Sequence, residues 1–336
     1  MQRRQWFLLA CLLLPCLGRS ASPDVWSGVD RIVAIGDVHG DYTRFVKILK
    51  ATGLVDERLR WSGGKTHLVQ TGDVTDRGPD SRKAMDLLMK LEREAQRAGG
   101  RVHALIGNHE AMNVYGDLRY VSEEEYAAFR TKESERLRNR YYEHHVEEAK
   151  SAGKEPEPRA AWEQKNPLGF IEHRLAFNSS GDYGRWIRNL NAIVQINDTV
   201  FLHGGISPKF AGETIRSLND RIRAELKDFS KLEKGVTTDQ EGPLWYRGWA
   251  DGQENEMAES LVKVLGALSV RRMVIGHTIT PTRAVMSRFG GRVIMIDVGL
   301  SAVYNGRIGY LVYEDKKWQA FDEQTRLPIP ALADAP

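Results

Sequence analysis

The strongest constraint on this chain is one pattern written three times before residue 110. An apolar, β-branched run ends in glycine, a polar turn carries Asp, His or Asn, and a helix-forming stretch follows the first two copies. Ile32 to Ile35 runs into Gly36-Asp37-Val38-His39-Gly40-Asp41, and Tyr42 to Leu49 then has helical spacing. Thr66 to Thr71 runs into Gly72-Asp73-Val74-Thr75-Asp76-Arg77-Gly78-Pro79. From Ser81 to Ala98, the apolar residues Ala84, Met85, Leu87, Leu88 and Leu91 lie opposite charges, which predicts an amphipathic helix, and Gly99-Gly100 ends it. Val102 to Ile106 runs into Gly107-Asn108-His109-Glu110. Short apolar runs alternating with helices predict a parallel sheet with helices packed on it. The three polar turns should then lie side by side at the carboxyl edge of the strands, where sites collect in such sheets.

The rest of the chain extends the theme. Tyr120 to about Leu190 reads as a helical insertion, charge-rich as far as Lys150, with a linker at Lys154 to Pro158. Most of its charge is expected on a solvated face, and its start close after His109 suits a lid. Ala192 to Ile196 and Thr199 to Leu202 form a hairpin pattern around Asn197-Asp198, and the second strand ends in His203-Gly204-Gly205. Thr214 to Phe229 and Met257 to Leu268 are helical, Arg272 to Ile275 ends in Gly276-His277-Thr278, and Val293 to Ile296 ends in Asp297-Val298-Gly299. Ile308 to Tyr313 and Trp318 to Phe321 are expected to close a sheet.

The first residues have the layout of a secretory leader. Arg3 and Arg4 precede a short apolar run from Trp6 to Leu17, and small residues follow. The run is too short for a permanent membrane span. Residues 1–22 are therefore assigned to a signal peptide, with cleavage expected after Ser20, which makes the mature protein secreted or periplasmic with no stable membrane insertion. Both cysteines, Cys11 and Cys16, lie in this leader, so the mature chain can form no disulfide and no thiolate metal site. Of 48 Lys+Arg and 45 Asp+Glu, the leader holds Arg3, Arg4 and Arg19 and no acid. The mature chain is thus balanced, and its charge gives no argument for nucleic acid binding.

Collected, the strand-end residues are Asp37, His39, Asp73, Asn108, His203 and His277. Taken singly, each is a turn residue or a helix cap. Taken together, mixed imidazole and carboxylate oxygen suits manganese, iron, zinc and related divalent ions. Asp73 stands out because one carboxylate has two oxygens and can bridge two cations. Apart from His109 in the third turn, the remaining histidines, His67, His103, His144, His145 and His173, are read as surface or satisfied core residues.

The order and spacing of Gly36-Asp37-x-His39-Gly40, Gly72-Asp73-x-x-Asp76-Arg77-Gly78, Gly107-Asn108-His109-Glu110, His203-Gly204-Gly205 and Gly276-His277-Thr278 resemble the calcineurin-like metallophosphoesterase superfamily, and within it the phosphoprotein phosphatases. The leader, the helical insertion and Trp245-Tyr246-Arg247-Gly248 look most like the bacterial-type Shewanella-like phosphatases. The resemblance implies a mixed α/β fold, a β-sandwich flanked by helices (α/β/β/α), over residues 29–325 with the helical insertion at 120–190.

The resemblance also implies two divalent ions, manganese first, with iron or zinc as alternatives. Asp37, His39 and Asp73 would hold one, and Asp73, Asn108, His203 and His277 the other. A metal-bound hydroxide would attack phosphorus directly. His109 would be the general acid, Asp76 would orient it, and Arg77, Arg247 and Asn108 would bind phosphate, while Glu110 is left as structural. Ile296-Asp297-Val298-Gly299-Leu300-Ser301 lacks the Ser-Ala-Pro-Asn-Tyr signature of eukaryotic members, so no eukaryotic-type regulatory subunit is expected. The implied function is a secreted phosphomonoesterase for phosphorylated proteins or small phosphoesters. The alternatives are a dinucleoside polyphosphate hydrolase and an inactive binding scaffold of the same fold.

Overall fold

The computed structural model describes residues 23–323 and 325–332, so the expected leader lies outside the described residues. Strand β1 is Val25–Trp26 and β2 is Ile32–Ile35, followed by helix α1 (Tyr42–Ala51), which Asp41 caps by accepting the Arg44 amide. Strand β3 (His67–Gln70), helix α2 (Ser81–Arg97) and strand β4 (Arg101–Ala104) complete the repeated unit. β2, β3 and β4 pair in parallel in that order. The expected row of polar turns is therefore present at one sheet edge.

The third turn differs from expectation. Gly107-Asn108-His109-Glu110 is not an open turn, because helix α3 (Asn108–Tyr115) begins at Asn108. The physical reason is Glu110, whose carboxylate reaches back to accept the Gly107 amide at 2.8 Å, as a capping box does. Five helices then fill the expected insertion: α4 (Glu123–Ala127), α5 (Ser134–Ser151), α6 (Arg159–Lys165), α7 (Phe170–Phe177) and α8 (Asp182–Ile187). On α5 only Ser134 is buried, so its charge is a solvated face, as its composition predicts. This layer is held instead by aromatic packing of Phe129, His173, Phe177 and Tyr183. His173 corrects an expectation: it is fully buried, stacks on Phe177 at 4.5 Å, and neither ring nitrogen has a partner.

Strands β5 (Ile193–Ile196) and β6 (Thr199–Leu202) form the expected antiparallel hairpin. Helices α9 (Ile215–Lys227), α10 (Gly248–Asp251) and α11 (Glu254–Ala267) lead to β7 (Arg272–Ile275), β8 (Met286–Arg288) and β9 (Val293–Met295). The closing strands are β10 (Gly309–Glu314), β11 (Lys317–Asp322) and β12 (Thr325–Pro328). Two mixed six-stranded sheets result, in the orders β12-β11-β10-β2-β3-β4 and β1-β5-β6-β7-β9-β8.

The alternation of side chains along each strand explains the layers. Ile32, Ala34 and Val69 of one sheet meet Val194, Ile196, Phe201, Val274 and Ile294 of the other in a core between the sheets. The intervening residues Val33, Ile35 and Leu68 share a second core with Phe45, Ile48, Met85 and Leu88 of α1 and α2. Val200, Leu202, Met273 and Ile275 share it with Leu218, Ile222, Leu261 and Leu265 of α9 and α11. The order is helix, sheet, sheet, helix. Strands buried on both faces read as continuous apolar runs, and each buried Leu or Ile contributes roughly 1.5–3 kcal/mol. Among the described residues no helix is long and apolar enough to cross a membrane.

Candidate functional site

The site begins with two glycines. Gly72 has φ +95°, and a β-carbon on it would lie 2.4 Å from the Gly107 nitrogen. Only glycine lets the second and third strand-end turns approach this closely. Glu110 then ties them, accepting Asp73 N–H at 2.7 Å, Val74 N–H at 2.8 Å and Gly107 N–H at 2.8 Å. Burial first, and the Asp73 charge second, raise its carboxyl above its ordinary value, while the amides oppose them. A residue expected to be merely structural thus builds the ligand-bearing turn. The two sheets are joined by Asp37, which accepts the His277 amide on both oxygens, at 3.1 and 3.2 Å.

All six expected ligands are buried and converge. Asp73 Oδ2 lies 3.6 Å from His39 Nε2 and 3.2 Å from His203 Nε2. His39 Nδ1 faces the Thr75 carbonyl at 3.0 Å, and His203 Nδ1 faces the Thr71 carbonyl at 3.0 Å. A carbonyl can only accept, so each Nδ1 carries a proton and each ring turns its Nε2 inward, as metal-binding histidines do. His203 Nε2 then confronts Asn108 Oδ1 at 2.8 Å as well as Asp73 Oδ2. An amide oxygen and a carboxylate oxygen thus converge on one imidazole nitrogen, an arrangement that suits a bound cation. His277 Nε2 is buried without a partner.

Ligand atoms of Asp73, His203 and His277 lie within 4.8 Å of one another, and so do those of His39, Asp73 and His109. Asp73 belongs to both groups, and Asp37 Oδ2 lies 3.9 Å from His39 Nε2; with Asp37 in place of His109 in the first group, the donor set fits two divalent ions sharing one carboxylate.

Charge states follow from burial and neighbours. Burial lowers His39 to about 3, and burial, then His203 and Arg247, hold His277 well below its ordinary value. Burial opposes the charge on Asp73, yet His203 first and His109 second hold it well below the usual carboxylate range. Asp37 is pushed well above that range by burial, then by Asp297 and Asp73. Asp297 is a residue the sequence pattern did not single out. It is buried beside Asp37, and burial pushes it up to about 6. It follows an apolar run and precedes glycine by two, so the rule that found the other strand-end residues could have found it.

His109 and Asp76 sit at the same edge. His109 Nδ1 meets Asp76 Oδ2 at 2.6 Å, and its Nε2 lies 3.7 Å from Asp73 Oδ2. Burial alone would lower His109, but the Asp73 charge and the charge and hydrogen bond of Asp76 raise it above its ordinary value. Asp76 is not the cap of α2, since Asp80 holds that position. Asp76 also accepts from Asn113 Nδ2 at 2.7 Å, a second contact sequence reasoning missed.

The Arg77 guanidinium lies 3.9 Å from the ring centre of Tyr120 and 6.0 Å from that of Tyr304, and its amide donates to the Tyr120 carbonyl at 3.1 Å. Arg247 is exposed at the rim and donates to the His277 carbonyl at 2.7 Å and Thr278 Oγ1 at 2.8 Å. His39, Asp73, Asp76, Arg77 and His277 all have left-handed backbone, with φ between +44° and +71°.

Comparison with known proteins agrees with this architecture. The model of the calcineurin-like phosphoesterase family matches residues 30–281. An uncharacterized protein of Schizosaccharomyces pombe is 33% identical over 284 residues, 82% of this chain and 74% of that one. Shewanella-like protein phosphatase 2 of Arabidopsis thaliana is 31% identical over 288 residues, 81% of this chain and 72% of that one. The crystal structure of a cold-active protein-tyrosine phosphatase from a psychrophilic Shewanella has a TM-score of 0.70 and 28% identity, covering 92% of this chain and 83% of that one.

Proposed function

This chain belongs to the calcineurin-like phosphoesterase family, and on that premise we propose that it is a secreted, metal-dependent phosphomonoesterase that removes phosphate from phosphorylated proteins. The observation that carries the reading is Asp73, shared by two groups of buried ligand atoms, one of which includes His109 of the His109–Asp76 pair. The names of its relatives, protein phosphatases among them, favour a protein substrate. Secretion rests on the leader pattern at residues 1–22.

Asp37, His39 and Asp73 would hold one ion, manganese first, and Asp73, Asn108, His203 and His277 the other. When bound, such a pair supplies a nucleophile at neutral pH and offsets phosphate charge in an in-line displacement. The protein does the rest. Arg77 grips phosphate oxygens through its planar fork, its guanidinium held against Tyr120. Asn108 and Arg247 would add further contacts to the phosphate. His109 gives the proton on Nε2 to the departing alkoxide or phenoxide oxygen, while Asp76 keeps the proton on Nδ1. Bulk water is kept from these groups because all of them except Arg77 and Arg247 are buried.

The test is phosphate release by mature protein, stripped of metal and reloaded with manganese. The substrates are a phosphotyrosine peptide, a phosphoserine peptide and diadenosine tetraphosphate, with Asp73→Asn as control. Metal-dependent release from a peptide, absent in the control, is the expected outcome, and the ratio of the two peptides gives the residue preference. Turnover of the dinucleotide alone would move the protein to the dinucleoside polyphosphate hydrolases. Absence of stoichiometric metal binding would make it a scaffold.

A further inference from the structure

Asn113 lies four residues beyond His109 on α3, on the same helix face, and is fully buried. Its Nδ2 donates to Asp76 Oδ1 at 2.7 Å and to the His109 carbonyl at 3.0 Å, with a longer contact of 3.4 Å to Thr75 Oγ1. Asp76 therefore has both oxygens committed: Oδ2 to His109 and Oδ1 to Asn113. The amide has one workable orientation, since a flipped Asn113 would set its own oxygen against two acceptors. Its backbone is held as well. Arg174 of α7 donates to the Asn113 carbonyl at 2.6 Å.

The inserted helices reach this node from a second side. Glu125 of α4 is fully buried and faces Asp76 and Ser81, and burial first, then the Asp76 charge, push its carboxyl well above the usual range.

We propose that Asn113 is a positioning residue for leaving-group protonation. By pinning Asp76 it fixes the ring orientation and tautomer of His109, and through Arg174 it ties that setting to the inserted helices. The insertion then acts as a buttress behind the acid pair. This rests on the reading of His109 as the proton donor.

Two substitutions test it: Asn113→Ala, and the nearly isosteric Asn113→Leu, which keeps the volume if the smaller residue fails to fold. The first readout is turnover of an alkyl phosphate, whose leaving group needs a proton, against nitrophenyl phosphate, whose leaving group does not. The alkyl-to-aryl ratio is expected to fall on the order of tenfold to a hundredfold, the range for supporting hydrogen bonds at such sites. In a His109→Ala background the same substitutions should cost no further selectivity. Equal losses on both substrates with metal content intact, or a selective loss that persists without His109, would overturn the proposal. The second readout needs no turnover. The proton on His109 Nδ1, held at 2.6 Å from a carboxylate oxygen, should resonate far downfield in the NMR spectrum and shift in the Asn113 variants. An unchanged resonance would also overturn the proposal. A wild-type protein that hydrolyses no phosphate ester would sink the phosphatase reading, and the resonance alone would then decide whether Asn113 positions His109.

Discussion

His39 and His109 are neighbours in one buried pocket, with ring centres 4.7 Å apart. Both turn Nε2 toward the same oxygen of Asp73, at 3.6 and 3.7 Å. Yet burial lowers His39 to about 3, while His109 is raised above its ordinary value. The difference lies on the far nitrogen. His39 Nδ1 meets a neutral carbonyl, and His109 Nδ1 meets a carboxylate. A carbonyl fixes the tautomer and favours a second proton only weakly, so burial wins and His39 stays neutral. A carboxylate does favour it, so His109 can carry the proton a leaving group needs. One atom of a second residue separates the two jobs.

The comparison breaks most severely if Asp73, on which both rings lean, is not central. Asp73→Asn is expected to lower turnover on the order of a thousandfold, from losing several kcal/mol of transition-state stabilisation at about 1.4 kcal/mol per tenfold, and elemental analysis should show less bound metal. Near-normal turnover would end the two-ion reading.

Next in size is His109→Ala. Alkyl phosphate turnover should fall on the order of 10²–10³-fold, the usual range for losing a general acid, with a clearly smaller loss on nitrophenyl phosphate. Equal losses would mean that His109 does the same job as His39.

Glu110→Gln asks whether the turn that presents Asp73 matters apart from its ligand. An amide nitrogen would then oppose the backbone donors that now share the carboxylate. Metal titration should show affinity weakened about tenfold to a hundredfold, with turnover recovering at high metal. Unchanged affinity would reduce Glu110 to a helix cap.

The smallest effect concerns His173, a buried histidine with neither kind of partner, which burial lowers to about 3. As pH falls below about 6.5, the unfolded chain takes up this proton before the folded one does. His173 therefore costs stability progressively as pH drops from about 6.5 toward 3, and nothing above that range. His173→Phe should be tolerated on the aromatic stack and should recover roughly 2 kcal/mol of the loss between pH 7 and pH 5. Urea unfolding at the two pH values measures it. An identical pH slope in both proteins would show that His173 gains its proton in the folded state.

How legible was this in the sequence? The three strand-turn-helix units and the hairpin at Asn197 were plain, because strands buried on both faces leave runs such as Ile32–Ile35 that need no partner to recognise. β1, β8 and β12 were not, since Val25–Trp26 is two residues long and Met286–Arg288 is only half-buried. The six converging strand-end residues were legible because each closes an apolar run beside glycine. Glu110, Asn113 and Glu125 were opaque in their roles. Their contacts join α3 and α4 to the turn after β3, and no local spacing records which distant amide or carboxylate a buried side chain will meet. Asp297 obeyed the same rule as the ligands but was weighed only against a missing signature.

The left-handed backbone at His39, Asp73, Asp76, Arg77 and His277 has an evolutionary consequence. Such conformations cost non-glycine residues roughly 1–3 kcal/mol each, and glycine adopts them freely. At each of these positions glycine would relieve strain and delete a working side chain in the same step. A library of this protein screened only for heat resistance should therefore test, position by position, whether strain relief outweighs the buried hydrogen bonds that Asp73 and Asp76 make. Where it does, thermostable descendants will keep their function only if every round of selection also asks for turnover.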